Sequence, residues 1–140
     1  MYLHPNELFL ICNPQSNAGK QTKAIALDLC SHINEFNLLQ EKLSPTYWKD
    51  IVNMLGLHPK ELLDQSHADY EAKIGGNTYT MDGWLEVLVH NAYLVKYPIV
   101  VYNHSAVMCR MPTDIMKLNP KPRSTEKVMP HLKKYRVGNQ

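Results

Sequence analysis

Two side chains with nucleophilic potential lie within one short segment of the chain, Leu10–Lys20, which reads LICNPQSNAGK. The segment joins an apolar, strand-like run to a predicted helix, and functional residues are often carried by such loops on a rigid scaffold. Cys12 could act as a nucleophile if the N–H groups and the dipole of the helix start stabilised its thiolate. A Cys-X-X-Cys pair is absent, because the residues after Cys12 are Asn-Pro-Gln-Ser. The alternative is that Cys12 ends the strand as a small buried apolar residue.

The same loop carries groups suited to binding an anion. Ser16 and Asn17, the backbone amides up to Gly19 and the charge of Lys20 together favour an oxyanion at the start of the helix. Ser16 or Asn17 could equally cap the helix, and the two roles are compatible. A nucleotide-binding phosphate loop is excluded, because the first glycine and the final hydroxyl residue of that motif are replaced by proline and glutamine.

The elements that would position this loop follow from the spacing of apolar residues. Glu7–Cys12 predicts a short buried strand, and apolar residues three or four apart predict a helix over Lys20–Phe36. Leu38–Lys42 is the expected second strand. A strand, a helix and a second strand in this order make a right-handed crossover in which the two strands are parallel.

The rest of the chain predicts a helical middle followed by a β-hairpin. Ser44 and Thr80 are suited to cap two of its helices, and Gly56 is suited to end the first of them. The expected elements are helices over Pro45–Leu55, Pro59–Ile74 (one or two short ones) and Met81–Asn91, strands over Pro98–Tyr102 and Ser105–Arg110 with a turn at Asn103–His104, and a short helix from Met111. The predicted fold class is α/β: a thioredoxin-like layout with a mixed four-stranded sheet, flanking helices and a helical insertion.

Charge divides the chain into two parts. The net charge is +2, yet residues 117–140 hold seven basic residues against the single acidic Glu126. We therefore divide the chain into a domain over residues 1–118 and a basic, flexible tail over residues 119–140. The tail could contact nucleic acid weakly or an acidic partner, or it could simply be a solvated end.

Cysteine content and hydropathy indicate where the protein works. Cys12, Cys30 and Cys109 are too few and too scattered for a disulfide framework or a zinc site. No apolar run approaches the roughly 20 residues that span a bilayer, and the first residues lack the features of a signal peptide. We expect a cytoplasmic protein with no metal and no membrane partner.

Four segments of the chain resemble the glutaredoxin-coupled arsenate reductases and their relative, the transcriptional regulator Spx. They are CNPQS at Cys12–Ser16, GLHPKELLDQSHADY at Gly56–Tyr70, YPIVVYN at Tyr97–Asn103 and VMCRMPTDIMKL at Val107–Leu118. The resemblance implies the thioredoxin fold. It also implies a cis peptide bond between Tyr97 and Pro98, which would shape the floor of the active site.

The resemblance also implies that the family's redox chemistry is altered here. The position of the arsenate-attacking cysteine holds Ser16, and the second cysteine of Spx-like pairs would fall at Gly19. Two anion-binding arginines of the family correspond to Asp64 and Tyr97, whereas Arg110 retains the third. Lys20 would stand in for another basic residue at the start of the helix.

Two functions remain open at this point. The first is a non-catalytic binding or regulatory protein that contacts another protein or a small oxyanion and needs no cofactor. The second is a thiol oxidoreductase that uses Cys12, alone or with Cys109, and that could accept glutathione. We favour the first, because a serine hydroxyl without a general base is a weak nucleophile and cannot form a mixed disulfide.

Overall fold

A computed structural model of the chain describes residues 7–30 and 32–118. The expected basic tail, residues 119–140, lies outside the described residues. The strands are β1 (Leu8–Cys12), β2 (Ile33–Asn37), β3 (Ile99–Tyr102) and β4 (Ser105–Met108). The α-helices are α1 (Asn17–Leu29), α2 (Pro45–Leu55), α3 (Pro59–Leu62), α4 (Ala68–Lys73) and α5 (Met81–His90), and two 3₁₀ helices cover Ala92–Leu94 and Pro112–Leu118.

The four strands form one mixed sheet in the order β2-β1-β3-β4. β1 is parallel to β2, with Leu8 opposite Ile33, and antiparallel to β3, with Leu8 opposite Tyr102. β3 and β4 pair as an antiparallel hairpin. The expected mixed four-stranded sheet with β1 inside it is confirmed.

The predicted position of the second strand is wrong. The helix expected to continue to Phe36 ends at Leu29, and the strand is Ile33–Asn37 rather than Leu38–Lys42. Apolar residues at Cys30, Ile33 and Phe36 fit helical spacing, but Phe36 instead packs edge-on against Phe9 across the β1–β2 pair, at 6.2 Å between ring centroids. A short apolar run does not by itself distinguish the periodicity of a helix from that of a strand.

The sheet is covered on both faces, which explains the unbroken apolar sequence of β1. Alternate residues of a strand point to opposite faces, so Phe9 and Ile11 pack with the helical insertion α2–α5. Leu8, Leu10 and Cys12 pack on the other face with α1 and the 3₁₀ helix Pro112–Leu118. Every residue of β1 is buried.

Local signals place the insertion and the hairpin as expected. The side chains of Ser44 and Thr80 accept hydrogen bonds from the first turns of α2 and α5, and Gly56 ends α2 with a positive φ of 68°. Asn103 and His104 both adopt positive φ, 50° and 66°, as a tight two-residue hairpin turn requires.

The peptide bond before Pro98 is trans, so the cis bond implied by the resemblance is wrong for this chain. Trans is the lower-energy form of most bonds before proline. In this geometry the Pro98 carbonyl accepts a hydrogen bond from the Cys109 N–H at 2.7 Å. This bond extends the pairing of β3 with β4 by one residue beyond each strand.

Candidate functional site

The loop between β1 and α1 is a compact turn whose polar groups mostly satisfy one another. The Asn13 side chain accepts a hydrogen bond from the Gln15 N–H at 2.9 Å. The Ser16 hydroxyl donates to the Asn13 carbonyl at 2.8 Å and accepts from the Gly19 N–H at 2.9 Å. Ser16 is therefore the N-cap of α1, and its oxygen is occupied by two backbone partners.

Position 19 requires glycine because the backbone of Asn13 passes very close to its Cα. A Cβ atom built on Gly19 would lie 2.3 Å from the Asn13 carbonyl oxygen and 3.0 Å from the Ser16 Oγ. Contacts under 3.0 Å are essentially never made by real Cβ atoms. Only glycine lets the turn close onto the first turn of the helix.

Two backbone donors of the loop remain available. Among residues 7–30 and 32–118, the structure shows no hydrogen-bond acceptor for the N–H groups of Asn17 and Ala18. These groups belong to the first turn of α1, where the helix provides no acceptor. The loop thus presents two unpaired N–H donors, whereas the Ser16 hydroxyl is already hydrogen-bonded.

Cys12 lies at the end of β1 and is 2% exposed. Burial raises the pKa of its thiol to about 11, with a further upward contribution from the carboxylate of Glu35 that Lys23 partly offsets. Cys109 is also buried, and burial raises the pKa of its thiol to about 12. None of the three cysteines forms a disulfide.

A cleft of about 270 Å³, here called the Cys12 cleft, lies beside the loop. The ion pair between Lys23 and Glu35, 2.9 Å long, borders it. The residues around it are Cys12, Pro14, Gly19, Lys20, Lys23, Ala24, Leu27 and Glu35. Lys20 therefore lines the same cleft as Cys12.

A larger cleft of about 490 Å³, here called the Arg110 cleft, lies where the α3–α4 segment meets the start of β3. Its lining residues are Glu61, Leu63, Gln65, Ser66, Lys96, Tyr97 and Arg110. The structure thus places Lys20 and Arg110 at different clefts and puts Tyr97 beside Arg110. Pro98, expected in the same floor, is buried at the head of β3 and lines neither cleft.

Asp64, which occupies a position where the resemblance implies an arginine, lines neither cleft. Its carboxylate accepts hydrogen bonds from the Ser66 hydroxyl at 2.6 Å and from the Ser66 N–H at 3.1 Å. These bonds, with a smaller contribution from the charge of Lys96, lower the pKa of the Asp64 carboxyl. The Asp64 carboxylate is thus hydrogen-bonded within its own turn.

Sequence reasoning missed Lys96, Gln65 and Ser66 as cleft residues. Because Lys96 directly precedes Tyr97, its position near the start of the strand could be predicted. Nothing in the sequence indicated which cleft it borders. Residues 7–30 and 32–118 contain no group of three or more His, Cys, Asp or Glu side chains suited to a metal ion. They also contain no helix long and apolar enough to cross a membrane.

Comparison with known proteins identifies the fold. No protein-family model matches the chain, and no curated protein matches it in sequence. Among solved structures, a putative arsenate reductase from Yersinia pestis superposes with a TM-score of 0.73 at 20% identity, over 79% of this chain and 98% of that one. An arsenate reductase from Vibrio cholerae gives a TM-score of 0.72 at 20% identity, over 81% and 98%.

A putative ArsC family related protein from Bacteroides fragilis gives a TM-score of 0.66 at 20% identity, over 80% of this chain and 98% of that one. These chains match along nearly their whole length. The arsenate-reductase-like, thioredoxin-type fold expected from the sequence is therefore confirmed, whereas a particular likeness to Spx is not among these findings.

Proposed function

We propose that this chain is a non-catalytic binding or regulatory member of the arsenate-reductase-like thioredoxin-fold proteins. The observation that carries the proposal is the state of Ser16. It stands where the resemblance places the catalytic cysteine, and its oxygen is held by the Asn13 carbonyl and the Gly19 N–H. A hydroxyl with two backbone partners and no basic side chain bonded to it has no activated form.

The alternative, thiol chemistry at Cys12, is disfavoured by burial. A thiol with a pKa of about 11 is ionised at pH 7 in only about one molecule in ten thousand, and the thiolate is the reactive form. Cys12 is also only 2% exposed, so its sulfur has almost no accessible surface from which to attack a disulfide or arsenate. A role for glutathione, which depended on Cys12, is disfavoured with it.

A small oxyanion is the ligand that we propose for the loop itself. The unpartnered N–H groups of Asn17 and Ala18 provide two donors, and Lys20 lies one turn further along α1. Because Ser16 is already occupied and Arg110 lies at the other cleft, we expect affinity no better than about millimolar, or roughly −4 kcal/mol. We place the protein in the cytoplasm, where its three cysteines would remain thiols.

The proposal is tested by measuring arsenate reduction with glutathione and glutaredoxin, comparing the wild-type chain with Ser16→Cys. We expect the wild-type chain to show only background reduction. A cysteine at the N-cap of α1 would meet the unpaired helix amides, which lower the pKa of a thiol. The Ser16→Cys thiol should therefore be alkylated at neutral pH far faster than any wild-type cysteine.

Turnover by the wild-type chain that disappears in Cys12→Ala would overturn the proposal in favour of the oxidoreductase. Cys30→Ala is the matched control, because Cys30 is buried in the same core layer as Cys12 but lies at the far end of α1. Loss of turnover in both variants would indicate a loss of folding instead, which circular dichroism would reveal.

A further inference from the structure

We infer that the Arg110 cleft binds an organic ligand through its carboxylates, either an acidic peptide segment or a free dicarboxylate. This inference rests on the proposed binding role and names a ligand for it. It concerns a different cleft from the β1–α1 loop and a larger ligand than a simple oxyanion.

The first support is two cations that form no ion pair. Within the described part of the chain, neither Lys96 nor Arg110 has a carboxylate within 4.0 Å. The Glu61 carboxylate, which also lines the cleft, accepts a hydrogen bond from the His58 N–H at 2.9 Å as part of the cap of α3. The Asp64 carboxylate nearby is held by Ser66. Lys96 and Arg110 thus line the cleft without an ion-pair partner, and the Glu61 carboxylate lines it with them.

The second support is the apolar wall beside these charges. The Lys96 ammonium lies 5.4 Å from the centroid of the Tyr97 ring. Leu63 lines the same cleft. Leu63 is only 3% exposed, so the Tyr97 ring supplies most of the apolar surface. A ring beside two cations suits a ligand with a carbon skeleton as well as charge, whereas an inorganic anion would leave the ring without a partner.

Size supports the same conclusion. The cleft holds about 490 Å³, within the roughly 300–1,000 Å³ typical of sites for organic ligands. A single tetrahedral oxyanion would fill only a small part of it. A dipeptide or a dicarboxylate brings two carboxylates to a cleft that holds two cations, and the planar fork of Arg110 suits bidentate contact with one carboxylate.

The walls of the cleft are fixed before any ligand arrives. Leu63 and Val95 form an antiparallel bridge. The Asp64 N–H donates to the Leu94 carbonyl at 2.7 Å, and the Lys96 N–H donates to the Leu62 carbonyl at 2.9 Å. These bonds attach the α3–α4 segment to the residues that lead into β3. A preformed site loses less conformational entropy on binding.

The test is an NMR titration of the full chain at low salt with three probes: N-acetyl-Glu-Glu-amide, glutarate and sulfate. We expect the dipeptide, the glutarate or both to shift the amide resonances around Tyr97 and Arg110 and to bind about tenfold more tightly than sulfate. Binding of both would identify the carboxylate pair as the recognised element, and binding of the dipeptide alone would identify an acidic peptide.

Two variants and two controls make the result specific. Lys96→Gln and Arg110→Gln should each weaken binding by about tenfold or more. Lys49→Gln removes the same charge from an exposed position on α2 that does not line the cleft, and it should leave binding unchanged. Lys20→Gln should weaken sulfate binding at the β1–α1 loop without affecting the dipeptide.

The inference is refuted if neither organic probe shifts these resonances, or if sulfate binds at the cleft as tightly as the organic probes. It is also refuted if Lys49→Gln weakens binding as much as Lys96→Gln, because the probe would then be attracted by the overall positive charge and not by the cleft. None of these results depends on arsenate turnover, so the proposed function can fail by itself in the reductase assay.

Discussion

Gly19→Ala is predicted to destabilise the protein even though alanine is the better helix former. The new Cβ would lie 2.3 Å from the Asn13 carbonyl oxygen, where ordinary contacts begin at 3.4 Å. Relieving the overlap requires a movement of roughly 1 Å in backbone that is already packed. The movement would also disturb the two hydrogen bonds of the Ser16 hydroxyl.

The size of the loss in stability follows from two destabilising contributions and one stabilising contribution. Overpacking of this kind costs about 1–3 kcal/mol, and loss of a serine N-cap costs about 0.5–2 kcal/mol. The helix propensity of alanine over glycine returns about 1 kcal/mol. We therefore expect the free energy of unfolding to fall by about 2 kcal/mol.

Gly83→Ala is a matched control, because Gly83 occupies the same position in α5 that Gly19 occupies in α1. Each glycine is three residues after its cap, and the Gly83 N–H donates to the Thr80 Oγ1 at 3.1 Å. A Cβ on Gly83 would meet the Tyr79 Cβ at 3.3 Å, so a shift of a few tenths of an ångström accommodates it. We expect the free energy of unfolding to change by less than about 0.5 kcal/mol, since the gain in propensity offsets the tight contact.

The assay is urea unfolding followed by circular dichroism, with the stability taken from the midpoint and the slope. Equal stability of Gly19→Ala and Gly83→Ala would refute the reasoning, because it would show that the turn yields to the methyl group at no cost.

Three other outcomes are expected. The alkylation rate of Cys12 in the native protein should rise about tenfold per pH unit up to its pKa of about 11; a plateau near pH 8 in a stopped-flow titration would contradict the burial argument. Because the pKa of Asp64 is lowered in the folded protein, its carboxylate stabilises the fold at pH values above the ordinary aspartate pKa. This stabilisation is lost as the pH falls through the pKa of the folded state. Ser66→Ala removes the hydroxyl bond and keeps the backbone one, so it should raise the Asp64 pKa in a carboxyl NMR titration and flatten this acid dependence; an unchanged pKa would exclude the hydroxyl bond as its main cause. His104→Gly should stabilise the protein by about 0.5–1 kcal/mol, because glycine adopts the positive φ of the Asn103–His104 turn without strain; thermal unfolding measures it, and a loss of stability would show that the imidazole contributes contacts.

Sequence-level reasoning succeeded where structure depends on neighbouring residues. The caps at Ser44 and Thr80 and the turn at Asn103–His104 require a particular side chain or backbone conformation at one place, and each was found where expected. Gly19 is a partial case: it was expected just before a helix starting at Lys20, but the helix starts at Asn17 and includes it. Its contact with the Asn13 carbonyl depends on how the turn closes.

Sequence-level reasoning failed where the outcome depends on distant parts of the chain. Phe36 fits a helical stripe by spacing, and only its packing against Phe9 makes it part of a strand. Lys20 and Arg110 were expected around one anion, yet the sheet places them at separate clefts. The peptide before Pro98 was assigned by resemblance rather than by physics, and its geometry differs here.

The position of β1 in the sheet has a consequence for synthesis on the ribosome. β1 is synthesised before its partner β3, which follows about 90 residues later, since Leu8 pairs with Tyr102. At about 5–20 residues per second, the nascent chain waits roughly 5–20 s before that ladder can form. Until then only β2 can pair with β1, and the other edge of a wholly apolar strand is open to other chains. The interval favours early packing of α1 against β1, and it makes the nascent chain most vulnerable to aggregation while the helical insertion is being made.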